Sequence, residues 1–285
     1  MLPQKIVLGG ESIKYLNQKS VNQLFDYASA HGINCIDTAP SYGDSENLIG
    51  NYLKRHNFKV STKIGSPGGL LNPNGIVSSI DKSLRNLKLE QIYCIYIHSV
   101  DPKLISDQVI DQIESLVQAG KIFTFGYSGD GHFLNLAISK SNVFSNFMCT
   151  YNIVDQGNYS TIIGNPDLNW IFKRPLANGV WDYSFSKRIL SIRQFLLGVE
   201  DSHKSDEYWN RFNLLKEFCK LEKISLSMLV GYIDVKVPSA KIAVGVRSIK
   251  HLSQLLKCED ISKRNLSQIS EAWNIISKNH LEIRT

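Results

Sequence analysis

Eight short apolar runs, separated by longer segments with helical spacing, constrain this chain more than any other feature. The runs are "KIVLGG" (5–10), "INCID" (33–37), "FKVSTK" (58–63), "IYCIYIH" (92–98), "IFTFGYS" (122–128), "VFSNFMCTY" (143–151), "WIFKRP" (170–175) and "IAVGV" (242–246). They are apolar throughout rather than at alternate positions, which suits strands covered on both faces of a parallel sheet. The segments between them repeat near every 3.6 residues. "SVNQLFDYASAHG" (20–32) puts Val21, Leu24, Phe25 and Ala28 on one face and ends at a glycine. "DSENLIGNYLKR" opens with Asp44 or Ser45 as a candidate N-cap. "NGIVSSIDKSLRNL" (74–87) and "SDQVIDQIESLVQAGK" (106–121) follow the same plan. Eight strand–helix units predict an α/β fold, a (β/α)8 TIM barrel in preference to an open doubly wound sheet, as a single domain over 1–285. The stretch 180–240 exceeds one unit and predicts two helices, near 185–198 and 206–221, with an insertion. The tail "QISEAWNIISKNHLEI" reads as a terminal helix packed on the barrel, with Trp209 and Trp273 as core residues.

The bulk properties narrow the setting. With 285 residues, 43% of them hydrophobic, the chain can bury a sizeable core. No stretch approaches the roughly 20 apolar residues of a membrane span, and "MLPQKIVLGG" lacks the basic and apolar regions of a signal peptide. A cytoplasmic protein is expected. Five widely spaced cysteines (Cys35, Cys94, Cys149, Cys219, Cys258) contain no C-x-x-C pair and read as reduced, buried small hydrophobes, with no metal site. The net charge of +6 is spread along the chain without a basic tract of the nucleic-acid type, and no nucleic-acid partner is expected. On charge alone, a phosphorylated small ligand suits the chain as well as a polyanion does. A monomer or weak homo-oligomer is expected.

In a barrel of this kind, catalytic groups stand where strands end and βα loops begin. Those positions carry Asp37 and, in the following loop, Tyr42; Lys63 closes the third run and His98 the fourth. Singly, each has an ordinary structural explanation: a turn aspartate, a rim aromatic, a solvated lysine, a satisfied core histidine. Together, on three successive strands, they form a chemical set. A free phenol has a pKa of about 10, too high for efficient proton exchange near neutrality. An adjacent lysine ammonium favours the phenolate, and a buried aspartate keeps that lysine charged. A histidine then orients a substrate oxygen. Such a set protonates a carbonyl oxygen while hydride arrives from elsewhere. Since no side chain donates hydride, a nicotinamide cofactor follows.

At these residues the chain resembles the aldo-keto reductase family. "GINCIDTAPSYGDSENLIG" is similar to that family's second-strand segment, and "VSTKIG" and "IYCIYIHSVD" to its third and fourth. "LVQAGKIFTFGYSG", "TYNIVD", "KRPLANGVW" and "VGVRSIKHLSQL" resemble its fifth to eighth. The resemblance implies a barrel binding NADP(H) without a Rossmann domain and acting on a small-molecule carbonyl substrate. It implies Tyr42 as proton donor, Lys63 and Asp37 as its tuners, and His98 as the substrate orienter. It implies cofactor contacts at Ser128, Tyr151, Pro175, Leu176, Gly179, Gly245, Arg247, Ser248, His251 and Gln254. Tyr151 would stack on the nicotinamide ring, and Arg247, Ser248 and His251 would surround the ribose 2′-phosphate.

The pattern departs from the family at three cofactor positions. Gly129 stands for an asparagine, Met148 for a glutamine, and Gln254-Leu255 for a Glu-Asn pair. Asp130, Asn152 or Asp155 lie near enough in sequence to replace the lost polar groups. "GYSGDG" lacks the G-x-G-x-x-G spacing of a dinucleotide loop. "SPGGLLNPNG" (66–75) reads as a flexible loop at the barrel mouth, and Trp181 and Tyr183 as pocket lining or packing. The leading expectation is an NADP(H)-dependent reductase of aldehydes or ketones, with polar or sugar-sized substrates. Two alternatives stand beside it: a non-catalytic barrel binding a ligand or partner, and a barrel isomerase or lyase using Lys63 as base or Schiff-base amine.

Overall fold

The structure, a computed structural model, describes residues 3–53, 57–140, 142–175, 206–222, 224–256 and 266–274. Eight parallel strands run β1 (Ile6–Gly9), β2 (Cys35–Asp37), β3 (Lys59–Ile64), β4 (Ile92–His98), β5 (Ile122–Ser128), β6 (Asn146–Thr150), β7 (Asn169–Lys173) and β8 (Lys241–Val244). They pair in chain order, and β8 pairs back to β1 through Ile6–Ile242 and Leu8–Val244, closing the barrel. The eight apolar runs therefore correspond one for one to the eight strands.

Helices alternate with them: α1 (Gln18–Ala30), α2 (Ser45–Leu53), α3 (Pro73–Leu87), α4 (Asp107–Gln118), α5 (Gly131–Ile138), α6 (Tyr159–Ile163), α7 (Asp206–Leu221), α8 (Leu226–Lys236) and α9 (Ile249–Leu256), with a further helical segment over 266–274. The expected face of α1 is the buried one: Val21, Leu24, Phe25 and Ala28 all lie in the core. Its N-terminus is capped by Asn17, whose side chain accepts from Ser20 N, and the chain turns at Gly32 with φ +78°. α7 matches the expected helix at 206–221, whereas the one expected at 185–198, with Trp181 and Tyr183, lies outside the described residues. Trp273 in the last helical segment is 2% exposed.

Burial separates two compartments. Outward-facing residues of the strands, such as Ile95, Ile97, Trp170 and Phe172, join the helices in one large core. Inside the barrel, Cys94, Tyr96 and Met148 pack together, with Ile171 against them. This inner plug closes the barrel beneath its C-terminal end and provides the floor of the mouth. Alternation along each strand then places the residue two positions further on, His98 after Tyr96, Thr150 after Met148 and Lys173 after Ile171, in the layer above that floor. Cys35, Cys94 and Cys149 are buried and free. Among the described residues, no helix is long and apolar enough to cross a membrane.

Candidate active site

The four strand-end groups meet in one place. Lys63 Nζ donates to Asp37 Oδ2 at 2.6 Å and to the Thr38 carbonyl at 2.8 Å. The same ammonium lies 5.0 Å from the centre of the Tyr42 ring, and that ring meets the His98 ring edge-on with centroids 6.5 Å apart. Asp37 and Lys63 are 5% and 2% exposed, so the pair is shielded from solvent while Tyr42 and His98 face the opening.

Local structure explains the convergence. The β1–β2 register sets Gly9 opposite Asp37. At Gly10 a Cβ would lie 2.7 Å from Thr38 Oγ1 and 2.9 Å from the Asp37 carbonyl, so only glycine lets this backbone pass beneath the acid. Ser45 Oγ donates to the Gly10 carbonyl and lies 3.0 Å from Thr38 Oγ1, tying the start of α2 to the floor under Tyr42. At the end of β4, Ser99 takes φ +53° and its N–H donates to the Ser128 carbonyl at 2.7 Å. That turn stops the strand at His98. Arg174, directly after β7, takes the same left-handed region, at φ +59° and immediately before Pro175. Both features disfavour this conformation, at about 1–3 kcal/mol for such a backbone. Asn152, 1% exposed, holds it by donating to the Arg174 carbonyl at 3.0 Å.

The electrostatics give each group a role. Burial disfavours the charged form of Lys63, but Asp37 and the Tyr42 phenol outweigh it and hold the ammonium above the usual lysine range. Burial raises Tyr42 above the ordinary phenol value, and Lys63 offsets only part of that rise. The lysine thus pulls toward phenolate, as the sequence suggested, but desolvation wins and the phenol keeps its proton. Burial, reinforced by Lys63, Lys173 and Arg174, drives the His98 imidazole down to about 3. It is neutral near pH 7, and its Nδ1 is buried without a hydrogen-bond partner among the described residues. A protonated phenol, a fixed ammonium and a neutral imidazole facing one opening can receive a carbonyl oxygen and give it a proton.

The expected cofactor positions divide. Ser128 ends β5 beside His98, 1% exposed, its Oγ without a hydrogen-bond partner among the described residues. Gly245, Arg247, Ser248, His251 and Gln254 cluster around the β8–α9 junction, where Ser248 Oγ accepts from His251 N at 3.2 Å. Arg247 stacks on Tyr15, 4.6 Å from the ring centre. Burial, with Lys250 and Arg247, lowers His251. Pro175 is buried just past β7, and Leu176 and Gly179 lie outside the described residues. Tyr151 is 0% exposed, enclosed by Tyr159, Phe172 and Trp273, and presents no ring face to the mouth.

The departures also find physical explanations. At Gly129 a Cβ would lie 2.5 Å from the Tyr127 ring, whose hydroxyl donates to the Val100 carbonyl at 2.7 Å. Tyr127 fills the space that a side chain at 129 requires. Met148 is part of the inner plug, and Leu255 is core. The possible substitutes are occupied. Asp130 accepts from Thr150 N, Thr150 Oγ1, Asn158 Nδ2 and Lys173 Nζ; Asn152 accepts from Asp155 N and donates to the Arg174 carbonyl, and Asp155 accepts from Gly157 N. Sequence reading missed Thr38, Lys173 and Arg174, and named Asn152 only as a replacement cofactor contact; the one signal for Lys173 and Arg174 was a pair of cations preceding Pro175 at a strand end.

The partnerless Ser128 Oγ and His98 Nδ1, the opening at Tyr42 and the basic β8–α9 junction fit a nicotinamide cofactor; Met148 offers it no amide.

Comparison with known proteins agrees with this geometry. The sequence model of the Aldo/keto reductase family matches residues 5–274. D-arabinose 1-dehydrogenase of Saccharomyces cerevisiae is 24% identical over 298 residues, spanning 93% of this chain and 85% of that protein. The holo form of an aldo-keto reductase from Bacillus halodurans superposes with a TM-score of 0.77 at 19% identity, over 94% of this chain and 91% of its own. The thermostable aldo-keto reductase Tm1743, in complex with the inhibitor epalrestat, superposes with a TM-score of 0.70 at 19% identity, over 94% of each chain. With a matching family model over nearly the whole chain and a closed eight-stranded barrel, this protein belongs to the aldo-keto reductase family, the NAD(P)H-dependent oxidoreductases of carbonyl compounds.

Proposed function

We propose that the protein reduces aldehydes or ketones with NADPH, Tyr42 being the proton donor. The observation that carries this reading is the buried Asp37–Lys63 pair, 2.6 Å apart, with the Lys63 ammonium directed at the Tyr42 phenol. When bound, the nicotinamide cofactor supplies the hydride.

The chain's own residues do the rest. Neutral His98 donates a hydrogen bond to the substrate oxygen and aligns the carbonyl over the opening. As negative charge develops on that oxygen, Tyr42 transfers its proton to it, and the Lys63 ammonium stabilises the phenolate left behind. Asp37 keeps Lys63 charged and in place. Ser128 Oγ is free to hold the nicotinamide carboxamide, and Arg247, Ser248 and His251 the 2′-phosphate, which is the basis for preferring NADPH over NADH. The inner plug of Cys94, Tyr96, Met148 and Ile171 keeps the floor beneath the reacting atoms apolar.

Tyr42→Phe tests the assignment. It is expected to lower kcat for carbonyl reduction by about 10²–10⁴-fold with little change in NADPH affinity. Unchanged turnover in this variant would remove Tyr42 from the role. A second reading, a barrel that binds a ligand without turnover, draws on Met148, which gives the carboxamide no polar partner. It predicts ligand binding without NADPH consumption against any aldehyde.

A further inference from the structure

The Lys63 ammonium and the Tyr42 phenol stand on different segments, and what fixes one against the other lies behind the mouth, in the first turn of α2. That turn begins three residues after Tyr42 with Ser45 and Glu46, both buried. At such positions these residue types ordinarily cap the helix or face solvent. Here both side chains bond to other segments instead. Ser45 Oγ donates to the Gly10 carbonyl at 2.9 Å and lies 3.0 Å from Thr38 Oγ1. Thr38 follows Asp37, and its carbonyl accepts from Lys63 Nζ at 2.8 Å. Glu46 accepts from Thr62 Oγ1 at 2.8 Å and, with its other oxygen, from Asn86 Nδ2 on α3 at 3.0 Å. Thr62 precedes Lys63 and lies on the opposite face of β3.

Consecutive side chains of one helical turn therefore hold the residue after Asp37 and the residue before Lys63. The backbone closes the same unit. Thr38 N donates to the Ser61 carbonyl at 2.8 Å, Tyr42 N to the Ala39 carbonyl at 3.0 Å and Ser45 N to the Tyr42 carbonyl at 3.3 Å. The loop that carries the phenol starts at Thr38 and ends at Ser45, and the hydroxyls of those two residues meet. Seating α2 on α3 uses Asn86 and the close approach at Gly50; it has no need of the contacts to Thr38 and Thr62.

We propose that Ser45 and Glu46 are positioning residues for the proton transfer, clamping the Tyr42 loop to β3 so that the Lys63 ammonium stays against the phenol as it ionises. The inference rests on the reductase reading and adds two residues to its machinery. Neither touches substrate; both act through Lys63 and Tyr42. Proton transfer depends steeply on such placement, and a displacement of about 1 Å can cost on the order of 10²-fold in rate. Burial raises the Tyr42 phenol most, Lys63 lowers it, Asp37 and Glu11 raise it further, and the neutral His98 ring meets it edge-on. A lysine released from its place therefore lets the phenol rise.

The test compares Ser45→Ala and Thr62→Val, which cut the two arms of the clamp, with Thr62→Ser, which keeps the hydroxyl. Tyr52→Phe is the control on the same helix, where Tyr52 donates to Asp26 at 2.9 Å. Each protein is read by kcat, by NADPH Kd, by the alkaline limb of kcat and by its urea midpoint. Tyrosine labelled with 13C at Cζ follows the Tyr42 phenol directly, its resonance assigned by its loss in Tyr42→Phe. Ser45→Ala and Thr62→Val are expected to lower kcat by about tenfold or more, to leave NADPH Kd unchanged, and to move both the limb and the Tyr42 titration to higher pH. Thr62→Ser is expected to stay near the wild type in all of these. Tyr52→Phe is expected to lower the urea midpoint and move neither kcat nor the titration. If Thr62→Val does not fold, Ser45→Ala decides alone. Wild-type kcat and Tyr42 titration in the clamp variants overturn the proposal, and so does a loss of kcat that follows the urea midpoint while the titration stays put. Failure of the underlying reading looks different: the wild type reduces no aldehyde, and the Tyr42 titration still decides whether the clamp holds Lys63 against the phenol.

Discussion

His98 shows most clearly how burial sets a residue's chemistry here. An imidazole in the unfolded chain takes up a proton near pH 6.5, whereas the folded one resists protonation to about 3 because burial and three neighbouring cations disfavour a further charge. Between those values the unfolded state binds the extra proton, so stability rises with pH across that window and falls as pH is lowered through it. Asp130 acts in the same direction: burial raises it, but Lys173 and the Thr150 N–H pull it below the usual carboxylate range. Its contribution is lost at still lower pH. Urea midpoints measured from pH 7 down to 3 should therefore decrease steadily, and His98→Gln should flatten the part near and below pH 6.5. An unchanged pH profile in that variant would show that the imidazole titrates normally. Tyr42 has the opposite sign. Because its phenol is raised, reduction should hold its rate up to pH 9 and decline only where the phenol ionises; a decline beginning near neutrality would contradict the protonated-phenol account. The four catalytic candidates were legible in the sequence because Asp37, Lys63 and His98 each close an apolar run and Tyr42 stands in the loop that follows Asp37. Lys173 was not: it lies in the polar half of the run "WIFKRP", and only the register of β7 turns it inward.

Elements supply what single residues cannot. α2 and α3 cross at Gly50, where a Cβ would lie 2.2 Å from the Asn86 carbonyl, a backbone atom that cannot rotate away. Buried Glu46 bridges the same region, accepting from Thr62 Oγ1 at 2.8 Å and Asn86 Nδ2 at 3.0 Å. Gly50→Ala should destabilise the fold by about 1–3 kcal/mol through overpacking, read as a lowered urea midpoint without change in slope; a neutral effect would mean that the two helices are not seated as described. On β5, Tyr127 and Gly129 are one feature. Gly129→Asn alone should weaken NADPH binding or folding, because the new side chain meets the Tyr127 ring. The double variant Tyr127→Val/Gly129→Asn should relieve the clash and bind NADPH more tightly than the single one. Additive effects in that pair would refute the coupling. Strand and helix positions were readable because the hydrophobic period switches between them. The 127–129 exchange was not, since it is a contact through space between residues that look independently unusual. Tyr151 illustrates the same limit: its sequence setting placed it at the end of β6, and only packing against Tyr159 and Trp273 shows that its ring faces the helices and not the mouth.

At the scale of the molecule, the barrel gathers groups from distant parts of the chain into one mouth. Asp37 and Lys63 come from β2 and β3, His98 and Ser128 from β4 and β5, Lys173 from β7 and Arg247 from beyond β8. The one fixed geometry of eight closed strands positions them all, and the order of motifs along the chain reflects the order of strands around the barrel. The claim that joins these parts is that the mouth holds NADPH despite Gly129, Met148 and Leu255. The most direct measurement is a titration of the purified protein with NADPH, followed by intrinsic tryptophan fluorescence, with NADH and the Lys63→Met variant alongside. Saturable binding of NADPH in the micromolar range, weaker binding of NADH, and a Lys63→Met protein that binds NADPH but does not turn over carbonyl substrate are the predicted results. The absence of saturable NADPH binding up to millimolar concentration would contradict the account.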